Sequence, residues 1–194
     1  MNVSPAHILF TTIADDDDIR QVLALQQANL SVQVSAEIAA SQGFVTVQHD
    51  FDLLKKMNEA IPQVIAKADD KVVGYALVML PSFQELIPVL KPMFLLFANL
   101  DFNGKKVAEY QYYVMGQICV AEGYRGAGIF DGLYQLHRTL FRSQFDFVAT
   151  EIASRNTRSI RAHQRVGFQT IHKFQDETDH WEIVVWDWET VGNC

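Results

Sequence analysis

The pattern of apolar and polar residues divides the chain into strands and helices. Four acidic residues at 15–18 precede apolar side chains at Ile19, Val22 and Leu30, a spacing that predicts an amphipathic helix with acids at its N-terminus. A second helix is predicted over Phe51–Ile61. The β-branched and aromatic runs of the first half predict strands, at His7–Ile13, Gln63–Ala68 and Lys71–Leu80.

The second half alternates between strand and helix patterns. Glu109–Val120 predicts a long strand, and apolar residues recur at helical spacing over Ile129–Phe145. Asn156 and Gly167 are suitable caps for a helix between them. This alternation indicates an α/β fold with a parallel pair of strands in its sheet. Further strands are predicted at Phe147–Ala153, Phe168–Phe174 and Trp181–Trp188.

Residues 81–108 interrupt the regular pattern. Three prolines separate long apolar side chains, and Asn103-Gly104 is a turn signal. We predict a loop with one or two short helices over Pro81–Phe102, within an insertion of residues 81–108 between strands. The length of 194 residues suits one core, so we predict a single domain over residues 1–194.

The charge of the chain is unevenly distributed. The net charge is −7, but residues 122–173 contain eight basic residues, seven of them arginine, and four acidic ones. Arginine binds phosphate through a planar, two-pronged donor. The acidic balance argues against a general nucleic-acid-binding protein. Neither a secretory signal nor a membrane-spanning run is recognised, and Cys119 and Cys194 form no disulfide framework, so we expect a cytoplasmic protein.

A glycine-rich turn lies between a predicted strand and a predicted helix. The segment from Ile118 to Ile129 contains Gly123, Gly126 and Gly128. Glycines let the main chain approach a ligand, and the N–H groups at a helix start form an anion site. The turn lacks the Gly-Lys-Ser/Thr of a P-loop, and its third glycine is misplaced for a dinucleotide-binding fingerprint. A pyrophosphate is the predicted ligand, and a tight turn with nothing bound is the alternative.

Two motifs in this region resemble those of the GCN5-related N-acetyltransferase (GNAT) family. Residues 125–130 begin Arg-x-x-Gly, which is similar to the Arg/Gln-x-x-Gly-x-Gly/Ala motif that binds acetyl-CoA in that family. Residues 156–168 are similar to its Asn-x-x-Ala/Ser…Tyr-x-x-x-Gly-Phe segment. The resemblance implies a single-domain GNAT-like α/β fold, a mixed, splayed β-sheet with helices on both faces, and an acceptor pocket formed by the first helices and variable loops.

The resemblance also implies a role for each matching residue. The main chain of the splayed strand would pair with the pantetheine arm of acetyl-CoA, and the turn would present backbone N–H groups to its pyrophosphate. Phe130 departs from the family, which has Gly or Ala there, and Gly132 is predicted to relieve the crowding. The cofactor-binding residues are thus Ile118, Cys119 and Val120 on the strand, Arg125, Gly126, Ala127, Gly128, Ile129 and Phe130 in the turn, and Asn156 and Ser159 near the pantetheine and phosphate.

Acetyl transfer to an amine needs a base for the amine proton and an acid for the leaving thiolate. His163 stands where the family frequently has Tyr, and the ordinary pKa of histidine suits an acid near neutrality. A histidine that caps or packs within its helix is the alternative. Glu151, Glu122 and Gln117 are candidates at the base position, Gln117 only by orienting a water, and a water chain is an equal alternative. The catalytic residues we select are His163 and Glu151.

The predicted function is acetyl transfer from acetyl-CoA to a primary amine by direct attack in a ternary complex. The acceptor is a small-molecule or peptide amine, and the acidic N-terminal half and tail favour a cationic one. No metal, nucleic-acid or membrane partner is expected, and a homodimer is compatible with the sequence. The alternatives are an acyl-CoA-binding sensor without turnover, and a protein-interaction module that uses the apolar segment 81–102.

Overall fold

The computed structural model describes residues 7–30 and 48–188. The strands in these ranges are β1 (Ile8–Thr12), β2 (Val64–Ala68), β3 (Lys71–Met79), β4 (Asp101–Phe102), β5 (Lys105–Lys106), β6 (Tyr112–Val120), β7 (Phe147–Ala153), β8 (Gln169–Gln175) and β9 (His180–Asp187). The α-helices are α1 (Asp16–Ala28), α2 (Phe51–Ala60), α3 (Lys91–Asn99), α4 (Ile129–Phe141) and α5 (Thr157–Val166).

Seven strands form one mixed sheet, in the order β1-β2-β3-β6-β7-β9-β8. The predicted parallel pair is β6 with β7, which aligns Tyr112–Val114 with Phe147–Ala149. The pairs β1–β2, β2–β3, β7–β9 and β8–β9 are antiparallel. The predicted α/β class with a mixed sheet is confirmed.

The described residues divide into two compact units. The first contains residues 7–30, 48–78 and 116–139, and the second contains residues 79–115 and 140–188. A single domain over residues 1–194 stays a prediction. Cys194 lies outside the described residues. Within the described ranges, no helix is both long and apolar enough to cross a bilayer.

The acidic residues at the start of α1, in the first unit, have structural roles. The Asp15 carboxylate accepts hydrogen bonds from the N–H groups of Asp17 and Asp18, and so caps α1. Asp18 is buried and forms a 2.6 Å ion pair with Lys67 of β2. The apolar face of α1 is buried with residues of α2, among them Ile19, Val22, Leu54 and Met57.

The second unit contains the irregular segment and an aromatic core. Residues 81–108 form two 3₁₀ turns (Pro81–Glu85 and Pro88–Leu90), α3 and the small β4–β5 hairpin. The short helices were predicted, whereas the hairpin around Asn103-Gly104 was predicted only as a turn; both residues have positive φ, 46° and 84°. The rings of Phe102, Tyr110 and Tyr112 contact Phe147, with centroids 5.2, 5.2 and 5.5 Å from its own.

Two sequence predictions need correction. β6 begins at Tyr112 rather than Glu109, because Val107–Glu109 form a 3₁₀ turn in which the Glu109 carboxylate accepts the Lys106 N–H. α4 ends at Phe141 rather than Phe145. A Cβ at Gly132 would collide with the Phe10 ring of β1, which is a reason for glycine there that the sequence did not reveal, and relief of crowding at Phe130 stays a prediction.

Candidate active site

The glycine-rich turn joins the end of β6 to the start of α4 within the first unit. The Ala121 N–H donates to the carbonyl of Val73 in β3 over 2.8 Å and so fixes the strand end. A 3₁₀ turn over Glu122–Tyr124 follows, before α4 begins at Ile129. The predicted cofactor strand and the predicted pyrophosphate turn are therefore contiguous in this unit.

Two glycines shape the turn between them. Gly126 has φ +82° and Gly128 has φ +77°, whereas Ala127 between them does not have positive φ. Alternation of this kind directs successive backbone N–H groups toward one side, as in an anion-binding nest. Residues 126–128 are exposed, and the positive end of the α4 dipole lies next to them. The turn is thus exposed, has two residues of positive φ and lies at a helix start, and pyrophosphate binding there stays a prediction.

The side chain of Arg125 turns inward. Its Nε donates to the Val120 carbonyl over 3.1 Å, and Nη2 donates to Oδ1 of Asn29 over 2.9 Å. Asn29 is the C-cap residue of α1. The Arg125 guanidinium thus connects the turn to the end of β6 and to the end of α1, and its predicted part in cofactor binding stays a prediction.

The start of α4 is closely packed against β3. A Cβ at Gly74 would lie 2.9 Å from Cγ2 of Ile129 and 3.3 Å from the carbonyl oxygen of Cys119, so only glycine fits there. Ile129 is buried, and the Phe130 ring contacts Tyr134 at a centroid distance of 5.1 Å. The Phe130 ring thus has a contact one turn further along α4.

Cys119 is a buried thiol on the predicted cofactor strand. Burial raises its pKa to about 11, although the Arg125 charge and a hydrogen bond with Tyr75 act in the opposite direction. A thiol with such a pKa is protonated at neutral pH and is a poor nucleophile.

A buried polar network, which sequence reasoning missed, lies beside this strand. It connects Gln26 of α1, His49, Tyr75 of β3 and Gln117 of β6. The sequence held one signal for it, because Gln26 interrupts the apolar stripe that Ile19, Val22 and Leu30 define on α1.

In the second unit, α5 brings three predicted site residues together. Oδ1 of Asn156 accepts the Ser159 N–H over 3.1 Å and caps the helix. One turn further, Nδ1 of His163 lies 2.8 Å from the Ser159 carbonyl and 3.3 Å from its hydroxyl. Gly167 ends the helix with φ 126°, as its predicted cap role requires. The motif that the sequence singled out is thus one connected set of contacts.

His163 is buried, with 3% of its surface exposed. Burial lowers its pKa to about 4, although the bond to the Ser159 carbonyl raises it. The ring meets Phe168 edge-on at 5.0 Å. At neutral pH the imidazole is therefore uncharged. These contacts favour the packing role that the sequence left open, and the general-acid role stays a prediction.

Glu151 lies on β7, opposite Ile183 of β9. Burial raises its pKa to about 7, and the nearby negative charge of Asp176 raises it further. A carboxylate with a pKa near neutrality exchanges protons readily at physiological pH. By contrast, Glu122 is exposed in the 3₁₀ turn of the first unit. Of the two glutamates considered at the base position, Glu151 has the environment of a proton acceptor.

The described residues include no group of three or more His, Cys, Asp or Glu side chains placed to hold a metal ion.

Comparison with known proteins identifies the family of the chain. The family model of the acetyltransferase (GNAT) family matches residues 32–168, more than half of the chain. No curated protein sequence matches significantly. This chain belongs to the GNAT acetyltransferase family.

Several solved structures share the fold. The NatC complex bound to Gag peptide and CoA contains a chain with a TM-score of 0.63 and 11% identity, over 93% of this chain and 98% of that one. A putative acetyltransferase, yncA, from Salmonella typhimurium with its cofactor acetyl-CoA has a TM-score of 0.59 and 15% identity, over 93% of each chain. NAA60 from Arabidopsis thaliana in complex with acetyl-CoA has a TM-score of 0.57 and 15% identity, over 93% of this chain and 99% of that one. At these identities the likeness shows the fold, and the predicted GNAT-like fold is confirmed.

Proposed function

We propose that this protein transfers an acetyl group from acetyl-CoA to a primary amine, by direct attack of the amine in a ternary complex. The observation that carries the proposal is the exposed turn with positive φ at Gly126 and Gly128, at the start of α4, in a chain of the GNAT family. The acetyl-CoA or CoA bound in the structural neighbours supports the choice of cosubstrate.

Cofactor binding relies on main-chain groups in this proposal. The backbone of residues 125–130 binds the pyrophosphate, and the backbone of residues 118–120 pairs with the pantetheine arm and orients the acyl carbonyl. Main-chain recognition explains how an acidic protein binds a polyanion. Asn156 and Ser159 are kept as further cofactor contacts, on the basis of the family motif.

Glu151 is the proposed general base. During transfer the acetyl carbon exchanges its bond to sulfur for a bond to the amine nitrogen. One amine proton moves to the Glu151 carboxylate, directly or through a water. The departing thiolate takes a proton from water to give the free thiol, and Glu151 returns its proton to solvent. The pKa of about 7 suits this role, because the carboxylate is substantially ionised at neutral pH and still basic enough to accept a proton.

An acyl-CoA-binding sensor is the second candidate function. His163 favours it, because the uncharged ring, engaged with the Ser159 carbonyl, is not an evident proton donor to a thiolate. A sensor of this kind would bind acetyl-CoA through the same turn without turnover.

Two measurements test the proposal. Calorimetric titration with acetyl-CoA measures binding, and release of CoA thiol with a panel of small amines and peptides measures turnover, with mass spectrometry of the acetylated product. We expect binding and amine-dependent thiol release. Binding without release would support the sensor, and the absence of any acetyl-CoA binding would refute both functions.

A further inference from the structure

β6 and β7 are paired over only the first part of their lengths. Their parallel register joins Tyr112–Val114 to Phe147–Ala149 and ends there, although both strands continue. β7 stays paired on its other side, since residues 150–153 remain in antiparallel register with β9. The β6–β7 ladder of the described strands therefore stops directly after Val114.

The Thr150 side chain takes over the hydrogen bonding where the ladder stops. Its hydroxyl donates to the carbonyl oxygen of Met115 over 2.8 Å. Met115 follows the last paired residue of β6, and Thr150 follows the last paired residue of β7. Met115 is 2% exposed and Thr150 is 7% exposed. A buried carbonyl needs a hydrogen-bond donor, so the hydroxyl stands in for the backbone N–H that a continued ladder would supply.

The next residue of β6, Gly116, is exposed, whereas Met115 and Gln117 on either side of it are buried. Glycine weakens the interior of a strand, and it often occurs where a ligand or another main chain approaches closely. Residues 118–120, whose main chain is proposed to pair with the pantetheine arm of acetyl-CoA, follow in the same strand. The exposed glycine therefore points to a ligand along this part of β6, independently of the Thr150 bond.

We propose that Thr150 is a positioning residue for the pantetheine arm of acetyl-CoA. The inference rests on the proposed function. By bonding to the Met115 carbonyl, the hydroxyl stops the β6–β7 ladder at Val114, so the main chain of residues 118–120 stays available to the cofactor instead of pairing with β7. Thr150 touches no reacting atom in this proposal and acts through the main chain of β6.

The role requires a hydroxyl, because valine has nearly the same shape as threonine but offers no donor. In Thr150→Val the buried Met115 carbonyl loses its partner, and a backbone N–H of β7 is the donor that a parallel ladder supplies. The ladder then extends beyond Val114 and occupies the place of the pantetheine arm. Cofactor binding must reverse this extension, so the affinity for a ligand that carries the arm falls.

Two ligands separate the arm from the rest of the cofactor. CoA carries the pantetheine arm, whereas 3′-phospho-ADP retains the nucleotide and the pyrophosphate without it. We expect Thr150→Val to raise the Kd of CoA about tenfold. The Kd of 3′-phospho-ADP should stay within about twofold, because this ligand does not reach the strand. Calorimetric titration measures both, with concentrations referred to the folded fraction of each variant.

Thr150→Ser is the matched control, since it keeps the hydroxyl and loses only a methyl group. We expect its Kd for CoA to lie within about threefold of the wild-type value. Tyr110→Phe removes another hydroxyl-to-carbonyl bond of the second unit, the 2.9 Å bond to Phe102, and should change neither Kd. If Thr150→Val does not fold, Thr150→Ala is measured in its place, because it removes the same donor with a smaller side chain.

Three results would overturn the positioning role. The first is an equal rise in the Kd of CoA and of 3′-phospho-ADP, which is what general damage to the fold produces. The second is a CoA affinity that loss of the hydroxyl leaves unchanged. The third is a loss of CoA affinity in Thr150→Ser as large as that in Thr150→Val.

Amide hydrogen exchange keeps the inference separate from the proposed function. In the wild type we expect CoA, but not 3′-phospho-ADP, to slow exchange of N–H groups within residues 118–120. If CoA binds but no amine causes thiol release, the proposed acetyl transfer fails, while the binding and exchange measurements still decide the role of Thr150. If CoA leaves exchange at residues 118–120 unchanged, the arm lies elsewhere and the inference is refuted, whether or not acetyl transfer is observed.

Discussion

The guanidinium of Arg125 donates a 2.9 Å hydrogen bond to Oδ1 of Asn29, the residue that ends α1. The Asn29 amide nitrogen in turn donates to the Leu25 carbonyl one helical turn earlier. The proposed pyrophosphate turn is thereby attached to a helix that comes 96 residues before it in the chain. The shape of the turn depends on this attachment as well as on its glycines.

The first prediction concerns Asn29. Asn29→Leu removes the oxygen that Arg125 contacts, so the turn loses an anchor. We expect the Kd for acetyl-CoA to rise at least about tenfold, since a hydrogen bond to a charged group contributes about 1.5–3 kcal/mol and 1.4 kcal/mol is about tenfold in Kd. Calorimetric titration measures the change. Asn29→Asp keeps the oxygen and is the control, and equal affinities in the two variants would contradict the anchoring role.

The second prediction concerns the glycines of the turn. A Cβ at Gly128 meets open space, so strain from φ +77° is the main cost of Gly128→Ala in the free protein, about 1–2 kcal/mol. Gly128→Val adds bulk on the exposed side of the turn, and we expect acetyl-CoA binding to weaken at least tenfold. Gly123→Val is the matched control, because Gly123 also faces open space but lacks positive φ. Normal binding by Gly128→Val would refute the assignment of the turn.

The third prediction concerns the pH dependence of turnover. A general base must be ionised, so kcat/KM should rise with pH through the Glu151 pKa of about 7. Glu151→Gln should remove this limb and lower kcat about 100-fold. Asp176→Asn should move the limb to lower pH, because the Asp176 charge is one of the causes of the raised pKa. If neither variant changes the pH dependence of kcat/KM, the general base is a residue other than Glu151.

The fourth prediction separates two roles of His163. If the ring serves packing, as its burial and its bond to Ser159 favour, His163→Phe lowers the melting temperature while kcat stays within about threefold. Thermal unfolding and steady-state kinetics on the same preparation decide this. A loss of about 100-fold in kcat at an unchanged melting temperature would establish the general-acid role.

The fifth prediction concerns stability in acid. Burial lowers the pKa values of His49 and His163 to about 4 and that of His137 to about 3. The unfolded chain takes up these protons near pH 6.5, whereas the folded chain does not. The free energy of unfolding should therefore fall as the pH drops from about 6.5 toward 4, by about 1.4 kcal/mol per pH unit for each histidine.

Glu151 opposes this trend, because its raised pKa means that the folded state holds a proton between about pH 4.5 and 7 that the unfolded state releases. Denaturant titrations at several pH values measure the sum. In Glu151→Gln the decline toward acid should be steeper, and stability at pH 8 should exceed that of the wild type. A flat profile between pH 6.5 and 4.5 would contradict the neutral burial of the histidines.

Most elements of the fold were predictable because their signals are local. Asp15 with the apolar stripe of α1, and Asn156 with Gly167 around α5, specify helix ends through caps within one turn of chain. The start of β6 was misjudged because Glu109 bonds back to the Lys106 N–H, a turn that strand propensity does not reveal.

The site was predictable where it is made of main chain, and less so where it depends on tertiary contacts. Gly126 and Gly128 indicate positive φ by residue type alone. The raised pKa of Glu151 comes from burial and from Asp176, 25 residues further along the chain. Gln26 and Gln117 are 91 residues apart, so no local pattern could pair them.

Gln26 and Asn29 lie three residues apart and so project from the same side of α1. One residue bonds to Gln117 of β6 and the other bonds to Arg125 in the turn that follows β6, so the helix is fixed both to the strand and to the turn. A single insertion between them would rotate the later one by about 100° and release one of the two partners. Any graft that exchanges the N-terminal segment, for instance to alter acceptor preference, must therefore keep the spacing between these two residues along the helix as well as the length of the helix.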